Sequence, residues 1–208
     1  MNLHRLILGA LRTNCYILHD KPSNEAAVVD PADEADKIIE KLEELGCNVK
    51  YIILTHAHID HILALDQIKA HTGAQVVIHS ADVSALNNDA FNLAVYFHAK
   101  SPKTKADIAV NDGDSVMLGE NELQFLHTPG HNKGSMCILY GDTLLSGDTL
   151  FYLSVGRVDH YGGNYESIIR SIKEKLLLLP DSTQVYPGHG DSTTIGFERE
   201  NNSYLQEL

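Results

Sequence analysis

The sequence predicts an α+β fold in which two β-sheets lie face to face between outer helices, a four-layer αββα sandwich. The chain runs through strands and then helices twice over, and each β-rich half has helices to cover it. The strand from Val49 to Leu54 carries the apolar run Tyr51-Ile52-Ile53-Leu54, which is typical of a strand buried on both faces. With 208 residues, one domain over residues 1–208 is predicted.

The first half begins with three predicted strands, at 3–8, 14–18 and 26–30, and Pro31 stops the third. Asp33 is predicted to cap the helix that follows, which ends at Gly46. After the strand 49–54, a second helix is expected from Ile62 towards Gly73. A strand over 75–79 and a short helical piece over 81–86 complete this half.

Residues 87–112 are the least regular part of the sequence, and we expect them either to form one wall of a cleft or to serve as a connector. Two hairpins follow, 116–118 with 123–127 and 135–140 with 143–146. Asn164 is predicted to cap a helix that Pro180 ends, and a strand over 184–186 and a helix over 197–205 finish the chain.

Composition excludes several function classes. The formal net charge of -12 disfavours a nucleic-acid binder, which needs a basic surface, and disfavours binding to anionic membranes. The three cysteines, Cys15, Cys47 and Cys137, form no C-x-x-C pair and favour a reducing cytoplasm. No signal peptide or membrane-spanning run is recognised. Nothing in the sequence indicates an oligomeric state.

The stretch Thr55-His56-Ala57-His58-Ile59-Asp60-His61 follows directly on the apolar strand. Three imidazoles and one carboxylate within six positions suit zinc, with iron or manganese as alternatives. His56 and His58 can point to one side of an extended loop, while Asp60 and His61 lie past the bend. Three more candidate ligands follow apolar runs downstream: His131, Asp148 and His189.

Together these residues resemble the metallo-β-lactamase-fold superfamily. Within it, Gly147-Asp148-Thr149-Leu150-Phe151, Gly156-Arg157, Pro187-Gly188-His189-Gly190 and the stretch 193–199 are similar to the glyoxalase II (hydroxyacylglutathione hydrolase) branch, in its short bacterial form. The chain departs from that branch at Leu63 and Ala64, where glycines are common, and at Ser203, where proline is common. No extra C-terminal helical domain for glutathione is expected after His189, so poor action on glutathione esters is predicted.

The resemblance implies an αββα fold and two divalent metal ions. It assigns His56, His58 and His131 to the first ion, Asp60, His61 and His189 to the second, and Asp148 to both. It also implies hydrolysis of a small-molecule thioester by a metal-bridging hydroxide, with no Ser or Cys nucleophile. Asp60 is a candidate to orient the attacking water if the second metal ion is absent. Arg157 is the expected substrate-binding residue, with Tyr152, Tyr161 and Arg199 as weaker candidates.

Alternatives remain open from sequence. A persulfide dioxygenase on the same scaffold would hold one iron through two of the histidines, at His56, His58 or His131, and Asp148, and would share Gly156-Arg157-Val158-Asp159. A hydrolase of another small ester or thioester is also possible on these residues, and a β-lactamase is disfavoured because those enzymes are exported. The other histidines are expected to be structural or exposed, with His127 as a possible support for a ligand. A non-catalytic binding protein is disfavoured because all seven ligand positions are kept.

Overall fold

The protein consists of two six-stranded sheets packed face to face, as a computed structural model that describes residues 1–206 shows. The strands of the first sheet lie side by side in chain order, from residues 2–8 to residues 108–110. Those of the second sheet lie in the order 193–194, 184–187, 143–147, 136–140, 121–127 and 115–118. Helices lie against the outer face of each sheet. The four-layer αββα sandwich and the α+β class predicted from the sequence are therefore confirmed.

The first sheet and its helices occupy the N-terminal half. Its first three strands pair antiparallel, whereas its third to sixth strands are parallel. The parallel strands all end at the same edge, and that edge carries the histidine motif. The elements are β1 (Asn2–Leu8), β2 (Thr13–Asp20), β3 (Glu25–Val29), α1 (Ala35–Leu45), β4 (Asn48–Leu54), α2 (Ile59–Ile62), α3 (Leu65–Thr72), β5 (Gln75–His79) and β6 (Ile108–Val110).

The second half repeats the arrangement with mostly antiparallel strands. Two short 3-10 helices, Ser80–Asp82 and Ala94–Phe97, precede it, and a third lies at Leu176–Leu178. The elements are β7 (Ser115–Leu118), β8 (Asn121–His127), β9 (Met136–Tyr140), β10 (Thr143–Gly147), β11 (Leu150–Phe151), β12 (Ser154–Val155), α4 (Tyr165–Glu174), β13 (Gln184–Pro187), β14 (Thr193–Thr194), α5 (Ile195–Asn201) and α6 (Ser203–Gln206).

Three apolar clusters hold the layers together. The middle one lies between the two sheets and contains Phe125, Ile53 and Val77. One outer cluster packs Ile38 and its neighbours on the first sheet, and the other packs the α4 isoleucines on the second. Within residues 1–206, no helix is long and apolar enough to cross a membrane.

The structure corrects some expected element boundaries. Asp33 does not cap α1, because Glu34 holds the N-cap position in a left-handed conformation and its carboxylate accepts the Gly9 N–H at 3.0 Å. The expected helix from Ile62 is divided into α2 and α3, with Ala64 between them out of helical conformation. The helix capped by Asn164 ends at Glu174, before Pro180. By contrast, the Asn164 and Gly46 caps are confirmed.

Candidate metal centre

Strand β4 delivers the histidine motif to the carboxyl edge of the first sheet. The chain stays extended at His58, with φ of -64° and ψ of 145°, and α2 starts at the next residue. His56 and His58 therefore lie on the extended segment, whereas Asp60 and His61 lie on the first helical turn. Helix and extended chain point these side chains towards one centre from different directions.

The other three predicted ligands arrive from the second half, each just past a strand: His131 after β8, Asp148 after β10 and His189 after β13. Backbone hydrogen bonds dock the two halves beside them. The Met136 N–H donates to the Thr55 carbonyl at 2.9 Å, and the Asn14 N–H donates to the Gly188 carbonyl at 2.7 Å. The two strand edges are thereby fixed against each other.

Three imidazoles form what we call the inner group: His56, His58 and His131. His58 Nδ1 lies 2.9 Å from His131 Nε2, and the His56 ring centroid lies 4.6 Å from that of His58 and 4.8 Å from that of His131. All three side chains are buried. Their nitrogens are close enough for one cation to contact all three.

Three further residues form the outer group: Asp60, His61 and His189. Asp60 Oδ2 lies 3.2 Å from His189 Nε2 and 3.5 Å from His61 Nε2. Asp148 lies between the groups, with its carboxylate oxygens 3.4 Å from His61 Nε2, 3.5 Å from His131 Nε2 and 3.6 Å from His189 Nε2. The structure thus brings together all seven side chains that the sequence singled out, and their assignment as metal ligands stays a prediction.

Four of the histidines are oriented in the same way, with one nitrogen tied to the protein and the other turned to the centre. His61 Nδ1 lies 2.9 Å from an Asp30 oxygen, His131 Nδ1 2.7 Å from the Arg157 carbonyl, and His189 Nδ1 3.2 Å from the Leu11 carbonyl. These oxygens only accept, so each Nδ1 carries the proton. His56 Nδ1 is similarly placed 3.1 Å from Thr55 Oγ1, whose own hydrogen goes to Asp30. In the neutral form of each ring, Nε2 is therefore left as a lone-pair donor.

Several buried atoms at the centre have no hydrogen-bond partner. They are His56 Nε2, His58 Nε2, His61 Nε2 and Asp148 Oδ1. A buried polar atom without a partner costs free energy, and native proteins rarely tolerate several together. Nitrogen and carboxylate oxygen donors in this set suit a divalent metal ion such as zinc or iron. The residues present therefore fit one or two metal ions.

The electrostatics of the two groups differ. Burial, and then the neighbouring imidazoles, hold the pKa of His56 well below its usual value, and burial lowers that of His131 to about 4. These rings are therefore neutral, as metal ligands must be. Burial alone would raise the pKa of Asp60, but His61 and His189 hold it at about 2. Burial also opposes ionisation of Asp148, whose pKa is nevertheless depressed by His61 and His131.

Asp30 supports the centre, although from the sequence it was expected only to end a strand. Its Oδ2 accepts from the Thr55 hydroxyl at 2.7 Å and from His61 Nδ1 at 2.9 Å, and its Oδ1 accepts from the Thr55 N–H at 2.8 Å. Asp30 follows β3, the parallel neighbour of β4. The signal was therefore present, because carboxyl ends of adjacent parallel strands meet at one edge.

Asp82 supports the inner group without touching a predicted ligand. Its Oδ2 accepts from the Ala57 N–H at 2.8 Å and from Asn132 Nδ2 at 3.1 Å. It therefore ties the residue between His56 and His58 to the residue after His131. Burial raises the pKa of Asp82 to about 6, against its N–H donors, which lower it. No motif spacing in the sequence marks this residue.

Gly188 is needed because two ligands pass close to its backbone. A Cβ at this position would collide with Asp148 Oδ1 and would lie 2.8 Å from His61 Cε1. The glycine of the Pro187-Gly188-His189-Gly190 stretch thus lets β13 end directly beside the centre.

The predicted substrate-binding residues have different surroundings. The Arg157 guanidinium is 79% exposed and forms a two-point pair with Asp159 at 2.9 and 3.0 Å. Tyr152 is half-exposed, stacks on Phe197 and follows Phe151, whose ring contacts His189. Both remain available for a ligand.

Arg199 lies elsewhere and is occupied by the chain itself. Its guanidinium donates to the Leu177 carbonyl at 2.6 Å and pairs with Asp181. These contacts hold the 3-10 helix Leu176–Leu178 to α5. The expectation that Arg199 binds substrate has no support in this geometry, and we leave it out of the proposed site.

Two histidines outside the motif have surroundings that bear on their expected roles. His160, expected to be a surface or core residue, packs its ring 4.7 Å from His58 and 4.8 Å from His131. It therefore borders the inner group. His127 stacks on His79 at 3.8 Å and approaches the Lys133 carbonyl, and it has no contact with the inner group among the described residues.

The segment 87–112 lies against the motif. The Ile59 N–H, at the start of α2, donates to the Asn92 carbonyl at 2.8 Å. Phe91 stacks on Tyr161 at 4.4 Å, beside His160. The segment contains a 3-10 helix and β6, so it is more ordered than its sequence indicates. It forms part of the surroundings of the centre, and its role in substrate binding is a proposal.

The fold and the seven converging side chains are those of a metallo-hydrolase, and comparison with known proteins gives the same class. Residues 8–189 match the Metallo-beta-lactamase superfamily. The chain belongs to this superfamily.

Among curated relatives, the chain is 33% identical over 221 residues to the hydroxyacylglutathione hydrolase GloC of Haemophilus influenzae, covering 99% of this chain and 98% of that protein. Among solved structures, it resembles the BLEG-1 B3 metallo-beta-lactamase with a TM-score of 0.94 and 34% identity, over 98% of this chain and 99% of that one.

Two further solved structures are similar to this chain, and one of them was solved with metal bound. ETHE1 from Myxococcus xanthus superposes with a TM-score of 0.86 and 29% identity, over 100% of this chain and 86% of that one. TTHA1623 in a di-iron-bound form superposes with a TM-score of 0.86 and 32% identity, over 97% of this chain and 100% of that one. The superfamily therefore includes a related protein with two metal ions, and that metal is iron.

Proposed function

We propose that this protein is a metal-dependent thioester hydrolase of the hydroxyacylglutathione hydrolase type, acting on a small-molecule thioester in the cytoplasm. The observation that carries the proposal is the position of Asp148, whose carboxylate approaches both the inner and the outer group. A shared carboxylate suits a pair of divalent ions because its charge offsets part of their repulsion. The similarity to GloC supports the thioester class.

No cysteine of this chain is suited to attack a thioester. Cys15 and Cys137 are buried, and burial raises the pKa of both thiols, that of Cys137 to about 11. Cys47 is partly buried and its thiol pKa is also raised. A neutral, enclosed thiol is a poor nucleophile. Water is therefore the proposed nucleophile.

The metal ions, zinc in our proposal, supply a Lewis acid for the carbonyl and lower the pKa of water when they are bound. The chain would hold them through imidazole nitrogens, and Asp30, Thr55 and backbone carbonyls keep most of these rings in place. Asp60 is ionised and is fixed by the Thr13 hydroxyl at 3.1 Å, so it is placed to serve as a ligand of the outer group, or to orient the attacking water when the second ion is absent. The departing thiolate is a good leaving group and needs no strong general acid.

Arg157 is the proposed contact for a negatively charged group of the thiol portion. Its pair with Asp159 is exposed, and exposed ion pairs contribute little stability, so the guanidinium can exchange one carboxylate for another. Tyr161 and Phe91 form a stacked aromatic wall on the same side as His160, and Lys133 lies 5.1 Å from the Tyr161 ring. Tyr152 is the proposed contact beside His189.

The test combines metal analysis with three assays on one preparation purified without added metal. The assays are hydrolysis of lactoylglutathione, oxygen uptake with glutathione persulfide, and opening of a β-lactam. Close to two metal ions per chain with thioester cleavage is the expected result. Two metal ions with β-lactam opening and no thioester cleavage would overturn the proposal in favour of lactam hydrolysis.

Persulfide dioxygenase is the second candidate, and the structural similarity to ETHE1 favours it. A single iron held by two imidazoles and Asp148 would use fewer of the seven side chains. One iron per chain with oxygen consumption, and no hydrolysis, would establish this activity instead. The partnerless outer-group atom His61 Nε2 favours the two-metal hydrolase.

A further inference from the structure

A small apolar pocket opens directly beside the outer group. Its cavity volume is about 190 Å³, and Asp60 and Thr13 form part of its wall. The rest of the wall is mostly apolar and comes from separate segments: Leu8 and Leu11 around the turn from β1 to β2, Ile59 and Leu63 on either side of α2, and Phe97 in the segment 87–112.

The floor and the rim of this pocket differ in exposure. Leu8 and Ile59 are buried at 2% and 1%, whereas Leu11, Leu63 and Phe97 remain 46%, 38% and 47% exposed. Large apolar side chains clustered around a concave surface are a sign of a ligand site, because water gains little by contact with them. The cluster adjoins a predicted metal ligand, so its ligand is part of a molecule that reaches the centre.

The polar side chains of the wall are already engaged or charged. The Thr13 hydroxyl donates to Asp60, and Asp33 accepts the Glu34 N–H at 2.7 Å. Among the lining residues, all of which lie within the described chain, no side chain offers a free hydrogen-bond donor. The carboxylates of Asp33 and Asp60 repel an anionic group. The chemistry of the wall therefore selects an uncharged aliphatic chain.

We propose that this pocket binds the acyl chain of the substrate, and that the preferred acyl group is a medium-length aliphatic one. This inference rests on the proposed thioester hydrolysis and names the substrate class for it. A cavity of about 150 Å³ lined by apolar side chains accommodates benzene. A pocket of about 190 Å³ therefore has room for roughly six or seven carbon atoms, the size of a hexanoyl group.

Leu63 is the residue that sets the size of the pocket in this proposal. Its side chain lines the pocket and forms part of the exposed rim. Its backbone is in the right-handed helical region and its N–H donates to the Ala32 carbonyl at 3.0 Å. Side-chain substitutions at Leu63 therefore change the pocket while leaving these backbone contacts in place.

The experiment uses zinc-loaded protein and N-acetylcysteamine thioesters with acetyl, butyryl, hexanoyl and glutaryl groups. Each buried methylene is expected to raise kcat/KM about fourfold, so hexanoyl should exceed acetyl by about two orders of magnitude. Glutaryl, with its terminal carboxylate, should be no better than acetyl. Calorimetric titration with acetate and hexanoate, which resemble the product acids, gives a second readout that does not depend on turnover.

Two substitutions at one position test the pocket in opposite directions. Leu63→Trp should fill it and abolish the preference for hexanoyl over acetyl, whereas Leu63→Ala should shift the optimum to longer chains. Leu178→Trp changes a 77% exposed leucine that does not line the pocket, and it should leave both rates unchanged. Circular dichroism melting verifies that each variant folds.

The outcomes separate the two proposals. Equal cleavage of all thioesters, with hexanoate binding no tighter than acetate, would overturn the acyl pocket while thioester hydrolysis stands. Hexanoate binding that depends on Leu63, with no thioester cleaved, would keep the pocket and overturn the hydrolysis. A chain-length preference that survives Leu63→Trp unchanged would also count against the pocket.

Discussion

The inner and outer groups of the metal centre are built from the same kinds of side chain but stand in different environments. The inner group is buried on all sides, and its rings contact one another and His160. The outer group faces solvent and the apolar pocket: the side chains of His189 and Asp60 keep 27% and 18% exposure. The inner group consists of neutral imidazoles, and the outer group includes a carboxylate. We infer that the inner group provides the firmer site and the outer group meets the substrate.

Removing the Asp148 carboxylate, which lies between the two groups, should have the largest effect on metal content and on kcat/KM. Asp148→Ala leaves no acceptor between His61 and His131, and we expect less than about one metal ion per chain. Loss of several kcal/mol of charge stabilisation corresponds to a decrease in kcat/KM of about 10³-fold or more. Elemental analysis and steady-state kinetics measure both. Asp36→Ala, an exposed aspartate of α1, is the matched control, and normal metal content in Asp148→Ala would contradict the bridging role.

Removing a ligand from the outer group alone should separate the two groups. His189→Ala is expected to retain about one metal ion per chain and to lose roughly 10² in kcat/KM. The inner group keeps its three imidazoles in this variant. Loss of both ions from His189→Ala would show that the groups bind metal as one unit and would remove the distinction between them.

The support beneath the inner group should appear in the pH dependence of stability. The folded pKa of Asp82, about 6, exceeds the ordinary value of 3.8, so the folded protein binds a proton between about pH 4 and 6. Its contribution is fully present below about pH 4 and is lost as the pH rises through about 6. The loss is about 3 kcal/mol, at 1.36 kcal/mol per unit.

Urea unfolding of metal-free protein at pH 4, 5, 6 and 7 measures this contribution. Asp82→Asn cannot ionise, so its free energy of unfolding should fall less steeply than that of the wild type over this range. Asp36→Asn is the control. Parallel curves for Asp82→Asn and the wild type would mean that Asp82 does not titrate in this interval.

Weakening the support that Asp30 gives to His61 in the outer group should reduce metal affinity moderately. Asp30→Asn removes the negative charge that His61 Nδ1–H and Thr55 share. Changes of this kind typically reduce metal affinity 10–100-fold. Titration with a competing chelator should show a larger loss of affinity for the more weakly bound metal ion than for the more tightly bound one. A uniform change in both affinities would instead indicate a general loosening of the edge.

The smallest expected effect lies on the aromatic wall. Phe91→Ala removes the ring stacked on Tyr161, and an aromatic pair of this kind contributes roughly 0.5–1.5 kcal/mol. We expect KM to rise about 2- to 10-fold with little change in kcat. Tyr96→Ala, at a 75% exposed aromatic of the same segment, is the comparison. Equal KM values for Phe91→Ala and wild type, with the fold intact, would assign segment 87–112 to a connector role.

Much of the metal centre was predictable because its signals are local. His56, His58, Asp60 and His61 lie within six positions after a buried strand, and no tertiary contact is needed to see that they share one site. The strand-end positions of His131, Asp148 and His189 added to the prediction through family resemblance. Helix caps at Asn164 and Gly46 were equally readable, since each depends on one side chain or one backbone angle.

The supports and the pocket were not predictable in the same way. Asp82 and Thr13 lie far along the chain from the atoms they contact, and a single aspartate or threonine carries no spacing signal. Arg199 is the opposite case. The family resemblance of its stretch predicted substrate binding, but in the structure its guanidinium donates to backbone carbonyls of the chain itself. Contacts of this kind depend on which strand edges meet, and that is decided by packing of the two sheets.

The sequence by itself therefore determined the class of fold, the superfamily and the candidate metal ligands. Periodicity and residue chemistry are local properties of the chain. Only the tertiary structure decided which nitrogen of each histidine faces the centre and which group stays buried. It also decided that Leu11, Leu63 and Phe97, from three separate segments, surround one pocket beside Asp60. These features arise because the two sheets pack face to face, which brings their strand ends together and places residues distant in sequence within a few ångströms of each other.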